Sequence, residues 1–328
     1  MTALKLLLEV PPAAPPDATV LMPLYNSAGM VAEAIASVLE QRGCILDILV
    51  SDDRSDDASL AEAEAVTAAY SGPHGLRLFA AGARLGIDHL HQLIDRAVCR
   101  IVVEAHGDDV SRPGRMARLL EIFHQTGAAL VVSLADLRRE KDDLVPVVLK
   151  PENRPGWQTL EQCVPPMGNG LFGGARYAFD RIIHDLFPRL DSRLIPSSHD
   201  RLQAFRAGLL GRLWLTEERL LVQGVHPQQG SMALVDQRDR VTADFGWSLR
   251  HLSALRAMQG DAAYAREHGI VDDERYAMAS ALLTAATGHY LQQLLDSRDA
   301  LVRSGDQVRW VPHEELHRLN VSARRMAR

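Results

Sequence analysis

The chain has little cysteine, no dense block of lysine and arginine, and no long uncharged apolar run, and each lack removes a class of protein. Its 3 cysteines in 328 residues stand at positions 44, 99 and 163 with no Cys-x-x-Cys spacing. They cannot build a disulfide framework or a cysteine zinc site, and they fit buried packing thiols in a reducing compartment. Lys and Arg number 36 against 42 Asp and Glu, for a formal net charge of −6. Without a basic stripe interleaved with aromatics, no nucleic-acid partner is expected. The apolar run Leu6 to Leu8 is cut off by Glu9 and by Pro11, Pro12, Pro15 and Pro16, too soon for the apolar core of a secretory signal. No later stretch is long and charge-free enough to span a bilayer. The expectation is a cytoplasmic protein, with at most peripheral contact at the inner face of the membrane.

What the chain does have is alternation. Ala18 to Leu24 and Ile45 to Val50 read as buried strands, and between them Val31, Ile35, Val38 and Leu39 share one face of a helix from Met30 to Glu40. The unit repeats: a helix to about Tyr70, strand Leu76 to Ala80, helix Ile87 to Val98, strand Arg100 to Val103, helix Arg115 to Gln125 and strand Ala128 to Ser133. Such a pattern predicts an α/β fold, a mostly parallel sheet with helices on both faces. After Asp136 the sequence turns charged and then proline-rich. It resumes with a helix from about Arg176 to Phe187, a helix from Asp200 to Leu210, and short strands near Leu213 and at Leu220 to Val222. Beyond Ser231 the period is helical, over Val241 to Met258, Asp272 to Thr287, Tyr290 to Arg303 and Pro312 to Arg328. The expected organisation is a lead-in at 1–17, two halves of one α/β domain at 18–135 and 136–232, and an all-α extension at 233–328. The arginines of the tail suit a solvated last helix or an anionic membrane surface.

Three polar clusters follow strands: Tyr25-Asn26, Asp52-Asp53 and Asp108-Asp109. A parallel sheet brings these loops to one edge, beyond the carboxyl ends of its strands, where such folds bind small molecules. The Asp108-Asp109 pair ends an apolar run and precedes Pro113. It offers hard oxygen ligands for Mg²⁺ or Mn²⁺, which usually bridge to a substrate's phosphates. Read alone, the pair fits a helix-capping turn as well, and Asp52 to Asp57 fits a solvated turn. Gly168-Asn169-Gly170-Leu171-Phe172-Gly173 spells a dinucleotide fingerprint, but Pro165-Pro166-Met167 precedes it where a strand should. It reads instead as a loop that lets something approach its backbone closely. His89 and His91 are two apart on a helix and do not face each other.

Taken in order over about residues 18 to 232, these segments resemble glycosyltransferase family 2, the inverting nucleotide-sugar transferases of GT-A type fold. Val20-Leu21-Met22-Pro23-Leu24-Tyr25-Asn26 resembles the family's opening strand and turn, and Ala34 to Gln41 its next helix. Asp52-Asp53-Arg54-Ser55-Asp56-Asp57 resembles the turn that holds the base, and His106-Gly107-Asp108-Asp109 the metal-binding region. Asp200 to Ala207 resembles the helix that opens with the catalytic base, and Leu215 to Leu221 with His226 the closing strand and its histidine loop. The chain departs from the pattern at His106, His199, Arg84-Leu85-Gly86 and Gln223-Gly224.

The resemblance implies a GT-A type, Rossmann-like sheet, mostly parallel but mixed, with 18–135 as the nucleotide-sugar half and 136–232 as the acceptor half. Tyr25, Asn26, Asp53, Arg84, Asp108 and His226 would then hold the donor, Asp109 a Mg²⁺ or Mn²⁺, and Asp200 would be the general base. The donor implied is a nucleotide-diphosphate sugar, a UDP-sugar first among them, and the acceptor a hydroxyl of a saccharide or lipid-linked molecule in polysaccharide assembly. The helical extension leaves room for a homodimer. A catalytically silent nucleotide-sugar-binding partner would carry the same donor residues. A sugar nucleotidylyltransferase would instead open with a Gly-rich phosphate loop, which Pro23-Leu24-Tyr25-Asn26 is not.

Overall fold

The computed structural model describes residues 4–140, 143–149, 153–165, 174–190, 199–225 and 240–304. Strands β1 (Leu4–Val10), β2 (Ala18–Leu24), β3 (Leu46–Asp52), β4 (Gly75–Ala81), β5 (Ile101–Glu104) and β6 (Asp109–Ser111) alternate with helices α1 (Val31–Leu39), α2 (Ser59–Ala68), α3 (Ile87–Ile94) and α4 (Arg115–Thr126). Then come β7 (Leu130–Glu140), β8 (Asp143–Pro146), β9 (Gly156–Trp157), α5 (Leu160–Cys163), β10 (Tyr177–Asp180), α6 (Ile182–Asp185), α7 (His199–Leu209) and β11 (Leu213–Gly224). Helices α8 (Arg240–Glu267) and α9 (Asp273–Ser304) close the described chain.

All eleven strands join one sheet, whose main path runs β1-β4-β3-β2-β5-β10-β7-β11-β6. Strands β4, β3, β2 and β5 are parallel, β10 runs against both its neighbours, and β7 and β11 are parallel again. The parallel strands are near-continuous apolar runs because helices cover both faces. Alternate residues feed opposite layers. Val20, Met22, Ile48 and Val50 meet α1 and α4 through Ile35, Val38, Leu119 and Phe123. Leu21, Leu49, Val102 and Phe179 meet α3 and α7 through Leu93, Ala204 and Ala207.

The structure departs from the sequence expectation in four places. The lead-in is part of the sheet: β1 pairs antiparallel with β4, with Leu7 as the extra residue of a bulge. The bulge and the following prolines blunt that edge. The helix expected from Arg176 to Phe187 is instead a short 3-10 turn, strand β10 and a single helical turn. Tyr177-Ala178-Phe179 is buried in the sheet between β5 and β7, where tertiary pairing overrides a weak local preference. The two short strands near Leu213 and Leu220 are one strand with register irregularities, and the helices expected to break near Gly288 are one helix. The last expected helix, 312–328, lies outside the described residues.

Helix α7 joins the sheet to the helical hairpin of α8 and α9. Its Ala204 and Ala207 face the sheet, while Leu202, Phe205 and Leu209 pack against Leu252, Leu255, Met258 and Leu283. At the centre of that contact Arg206, 1% exposed, meets Asp261, with Nε donating to Oδ2 at 2.6 Å and Nη2 to Oδ1 at 3.1 Å. The guanidinium also donates to the carbonyls of Ile183 and Pro188. Asp261→Ala leaves a buried cation without its partner and is expected to cost about 3–5 kcal/mol in urea unfolding. Replacing both, Arg206→Met with Asp261→Leu, should cost less; an equal or larger loss would show that the ion pair is not what α7 and α8 depend on.

Candidate active site

The strand directions decide where chemistry collects. The carboxyl ends of β2, β3, β4 and β5, at Leu24, Asp52, Ala81 and Glu104, share one edge, joined by the ends of β7 and β11. Antiparallel β10 and β6 present their first residues there, Tyr177 after Arg176 and Asp109 opposite Gln223. All described polar clusters read from the sequence therefore meet at a single edge.

On the β2–β4 side the loops are clamped to each other. Asp53, 5% exposed, accepts from the backbone N–H of Leu85 at Oδ1, 2.7 Å, and of Gly86 at Oδ2, 2.8 Å. Each oxygen keeps a second lone pair for a ligand N–H. Asn26 sits at φ 49°, a left-handed conformation that asparagine tolerates. Its amide oxygen accepts from the Asp56 N–H at 3.1 Å, so its side chain closes the turn. Arg84 lies 3.7 Å over the Tyr25 ring and donates from Nη1 to the phenol oxygen at 2.8 Å. The pair forms an open wall, with Tyr25 36% exposed.

The centre of the edge is Glu104, 1% exposed, a residue the sequence reading passed over. His199 Nε2 lies 3.4 Å and His106 Nε2 3.8 Å from its Oε2, and Gln203 Nε2 donates to Oε1 at 3.5 Å. The Tyr177 hydroxyl pairs with His199 Nε2 at 3.1 Å. Burial alone would raise the Glu104 carboxyl, but the His199 and His106 charges outweigh it and hold it well below the usual carboxylate range. Its sequence signal was an acid ending a buried strand two residues before His106, visible only once His199 is known to be near. Beneath it the fully buried Arg115 donates to Ser111 Oγ at 3.0 Å and to the carbonyls of Glu104, at 2.9 Å, and Ala175.

His106, Asp108 and Asp109 each bring one ligand atom within 4.8 Å of the others. Burial and then the Asp108 charge push Asp109 up to about 6. Burial pulls His106 down, but the Glu104 contact and the charges of Asp109 and Asp108 outweigh it and raise His106 to about 9. His106 and His199 offset Glu104, so the carboxylate oxygens the cluster can offer a cation are those of Asp108 and Asp109. The two carboxylates are the hard oxygens that Mg²⁺ and Mn²⁺ take, while the imidazole is a ligand that Mg²⁺ takes less readily. Asp200 stands in the first turn of α7, its Oδ1 accepting from the Arg201 N–H at 2.8 Å. Buried Arg176 lies close enough to Asp200 and Asp109 to feel the charge of both. His226 and the Gly168-to-Gly173 loop lie outside the described residues. His89 is a core histidine, bonded to Ser51 Oγ at 2.7 Å.

The sequence model of glycosyl transferase family 2 matches residues 19–186. The chain belongs to that family. Over 132 residues it is 31% identical to an uncharacterized protein of Mycobacterium tuberculosis, covering 40% of this chain and 39% of that one. Over 123 residues it is 34% identical to the succinoglycan biosynthesis protein ExoO of Rhizobium meliloti, covering 37% of this chain and 34% of that one. The match thus spans between a third and two fifths of these relatives' lengths. Among solved structures, the mannosyltransferase PcManGT from Pyrobaculum calidifontis, in complex with GDP-Man and Mn²⁺, superposes with a TM-score of 0.56 at 17% identity, covering 95% of this chain and 82% of that one. TarS of S. aureus in complex with UDP-GlcNAc gives 0.53 at 13% identity, covering 90% and 94%. These two likenesses establish the shared fold.

In this family 2 chain the departure at Gly224 has a steric reason. Its N–H donates to Asp109 Oδ1 at 3.0 Å, and a Cβ there would run into the Asp108 carbonyl oxygen. Glycine lets β11 close on the carboxylate pair. Gly224→Ala is expected to displace Asp108 and weaken Mn²⁺ binding by about tenfold or more, read by paramagnetic resonance of free Mn²⁺. Unchanged affinity would show that this close approach does not position the pair.

Proposed function

We propose that this protein moves a sugar from a nucleotide-diphosphate donor to a hydroxyl of a saccharide or lipid-linked acceptor, with inversion at the anomeric carbon. One observation carries the reading: a loop anchored by Asp53, the His106-Asp108-Asp109 cluster and Asp200 at the start of α7 meet at one sheet edge. Nucleotide sugars bound to PcManGT and TarS support a nucleotide-sugar donor, and a UDP-sugar is the first candidate. The name of the ExoO relative supports a place in polysaccharide assembly.

In this reading Asp53 and the Tyr25–Arg84 wall receive the nucleoside. Asp108, Asp109 and His106 would hold a Mg²⁺ or Mn²⁺, whose charge, when bound, offsets that of the diphosphate. Asp200 takes the proton of the acceptor hydroxyl as its oxygen forms a bond to the anomeric carbon, from the face opposite the nucleotide. The bond from that carbon to the diphosphate oxygen breaks, and the nucleoside diphosphate leaves with the electron pair. Arg176 sets a fixed positive charge beside the carboxylates, near where the negative charge develops. His226 would touch the same diphosphate. The acceptor half, the helical hairpin as a dimer contact and a peripheral membrane contact belong to the same proposal; among the described residues no helix is long and apolar enough to cross a membrane.

Asp200→Asn is expected to lower turnover by about 10²- to 10⁴-fold while nucleoside-diphosphate binding, followed calorimetrically, stays as in the parent. Turnover retained in full would remove Asp200 as the base. A parent protein that binds donor but never turns it over would mark a silent binding partner instead.

A further inference from the structure

A second polar site lies away from the sheet edge, behind α3 and α6. Eight buried side-chain nitrogens and oxygens lack a hydrogen-bond partner among the described residues, and four of them are His91 Nδ1, His91 Nε2, Arg181 Nε and His184 Nε2. The three residues that carry them line one cavity of about 150 Å³, completed by Ile94, Asp95, Asp185, Arg189 and Leu190. That volume holds about five waters, or one small polyatomic ion with some of its hydration. His91 is 3% exposed, and its nearest carboxylate oxygen, on Asp88, is 3.6 Å from Nδ1, too far for a hydrogen bond. Folding has left an imidazole dry on both nitrogens beside an open space.

The chemistry of the lining selects the ligand. Arg181 Nε can only donate, and each neutral imidazole donates from one nitrogen. Burial and then the Arg189 charge lower His91 to about 4, and burial and then the Arg206 charge lower His184 to about 3, so both are neutral in the empty cavity. The rim holds two guanidinium groups, each already facing a carboxylate: Arg189 Nη1 to Asp95 Oδ2 at 2.8 Å and Arg181 Nη2 to Asp185 Oδ1 at 3.7 Å. The carboxylates of those pairs are exposed, and Arg181 Nη1 also donates to the Ala97 carbonyl at 2.8 Å, whereas Arg181 Nε and the three imidazole nitrogens are buried without a partner. Leaving such donors unfilled costs free energy that an acceptor-rich ligand recovers. A divalent cation would meet two guanidinium groups, and no cluster of ligating atoms forms here among the described residues.

We propose that this cavity is a binding site for a small tetrahedral oxyanion of the phosphate class, seated on His91, His184 and Arg181. The site is independent of the nucleotide-sugar reading, since no residue of its lining belongs to the sheet-edge cluster. It touches that cluster only through charge, His199 bearing on both His91 and His184.

The test titrates the full chain with inorganic phosphate by calorimetry, with and without saturating UDP. Saturable binding that persists with UDP, and that weakens about tenfold or more in His91→Phe and in Arg181→Met, supports the site. Thermal unfolding of each variant establishes that it folds, and either folded variant alone decides. No saturable phosphate binding would overturn the proposal and leave the cavity to water. So would binding that UDP abolishes, binding undiminished in either folded variant, or a cavity that takes Zn²⁺ instead and loses it in His91→Phe.

Discussion

A carboxylate buried at the end of β5 is the constraint around which the molecule is arranged. Glu104 is almost without solvent, and an ionised group there is tolerated only with charge and hydrogen bonds to compensate. The compensation comes from distant segments: His106 from the next loop, and His199 and Gln203 from α7, about a hundred residues later. Because His199 adjoins Asp200 and His106 lies two residues before Asp108, satisfying one buried charge sets a prospective base against a prospective metal site. Arg115 secures the arrangement from below by holding the Glu104 and Ala175 carbonyls together.

Helix α7 carries that constraint outward. One of its faces lies on the sheet, the opposite face on the α8–α9 hairpin, and its first turn reaches the site. The helical extension is therefore a brace for the helix that presents Asp200, fixed by apolar packing and by the Arg206–Asp261 pair. On the other flank, Asp53 draws the β4–α3 loop onto the β3 end through two backbone amides. The β2–β4 side thus rests on backbone clamps, while the α7 side rests on a buried charge network.

Where the sequence was legible, the reason is periodicity. From β2 to α4 buried strand runs recur between helices, three of them amphipathic, and that recurrence puts the Tyr25, Asp53 and Asp109 loops at one edge. The antiparallel strands were not legible, because β10 is four residues of ordinary composition whose identity is set by its neighbours on both sides. The two-residue β9 and the three-residue β6 carry no period at all. Glu104 was missed, and Gly224 was read only as a departure from the family pattern, for a related reason. Each matters through a partner remote in sequence, His199 in one case and the Asp108 carbonyl in the other. Asn26, expected to hold the donor, uses its amide oxygen to close a turn with Asp56.

The central claim is that the edge formed by β2 to β5 and closed by β6 and β11 receives a nucleoside diphosphate with a divalent cation. Calorimetric titration with UDP, GDP, CDP and dTDP, each with and without Mn²⁺, tests it most directly. The account predicts that one of the four binds, that Mn²⁺ strengthens it, and that Asp109→Ala removes the Mn²⁺ dependence. Failure of all four to bind under either condition would contradict it.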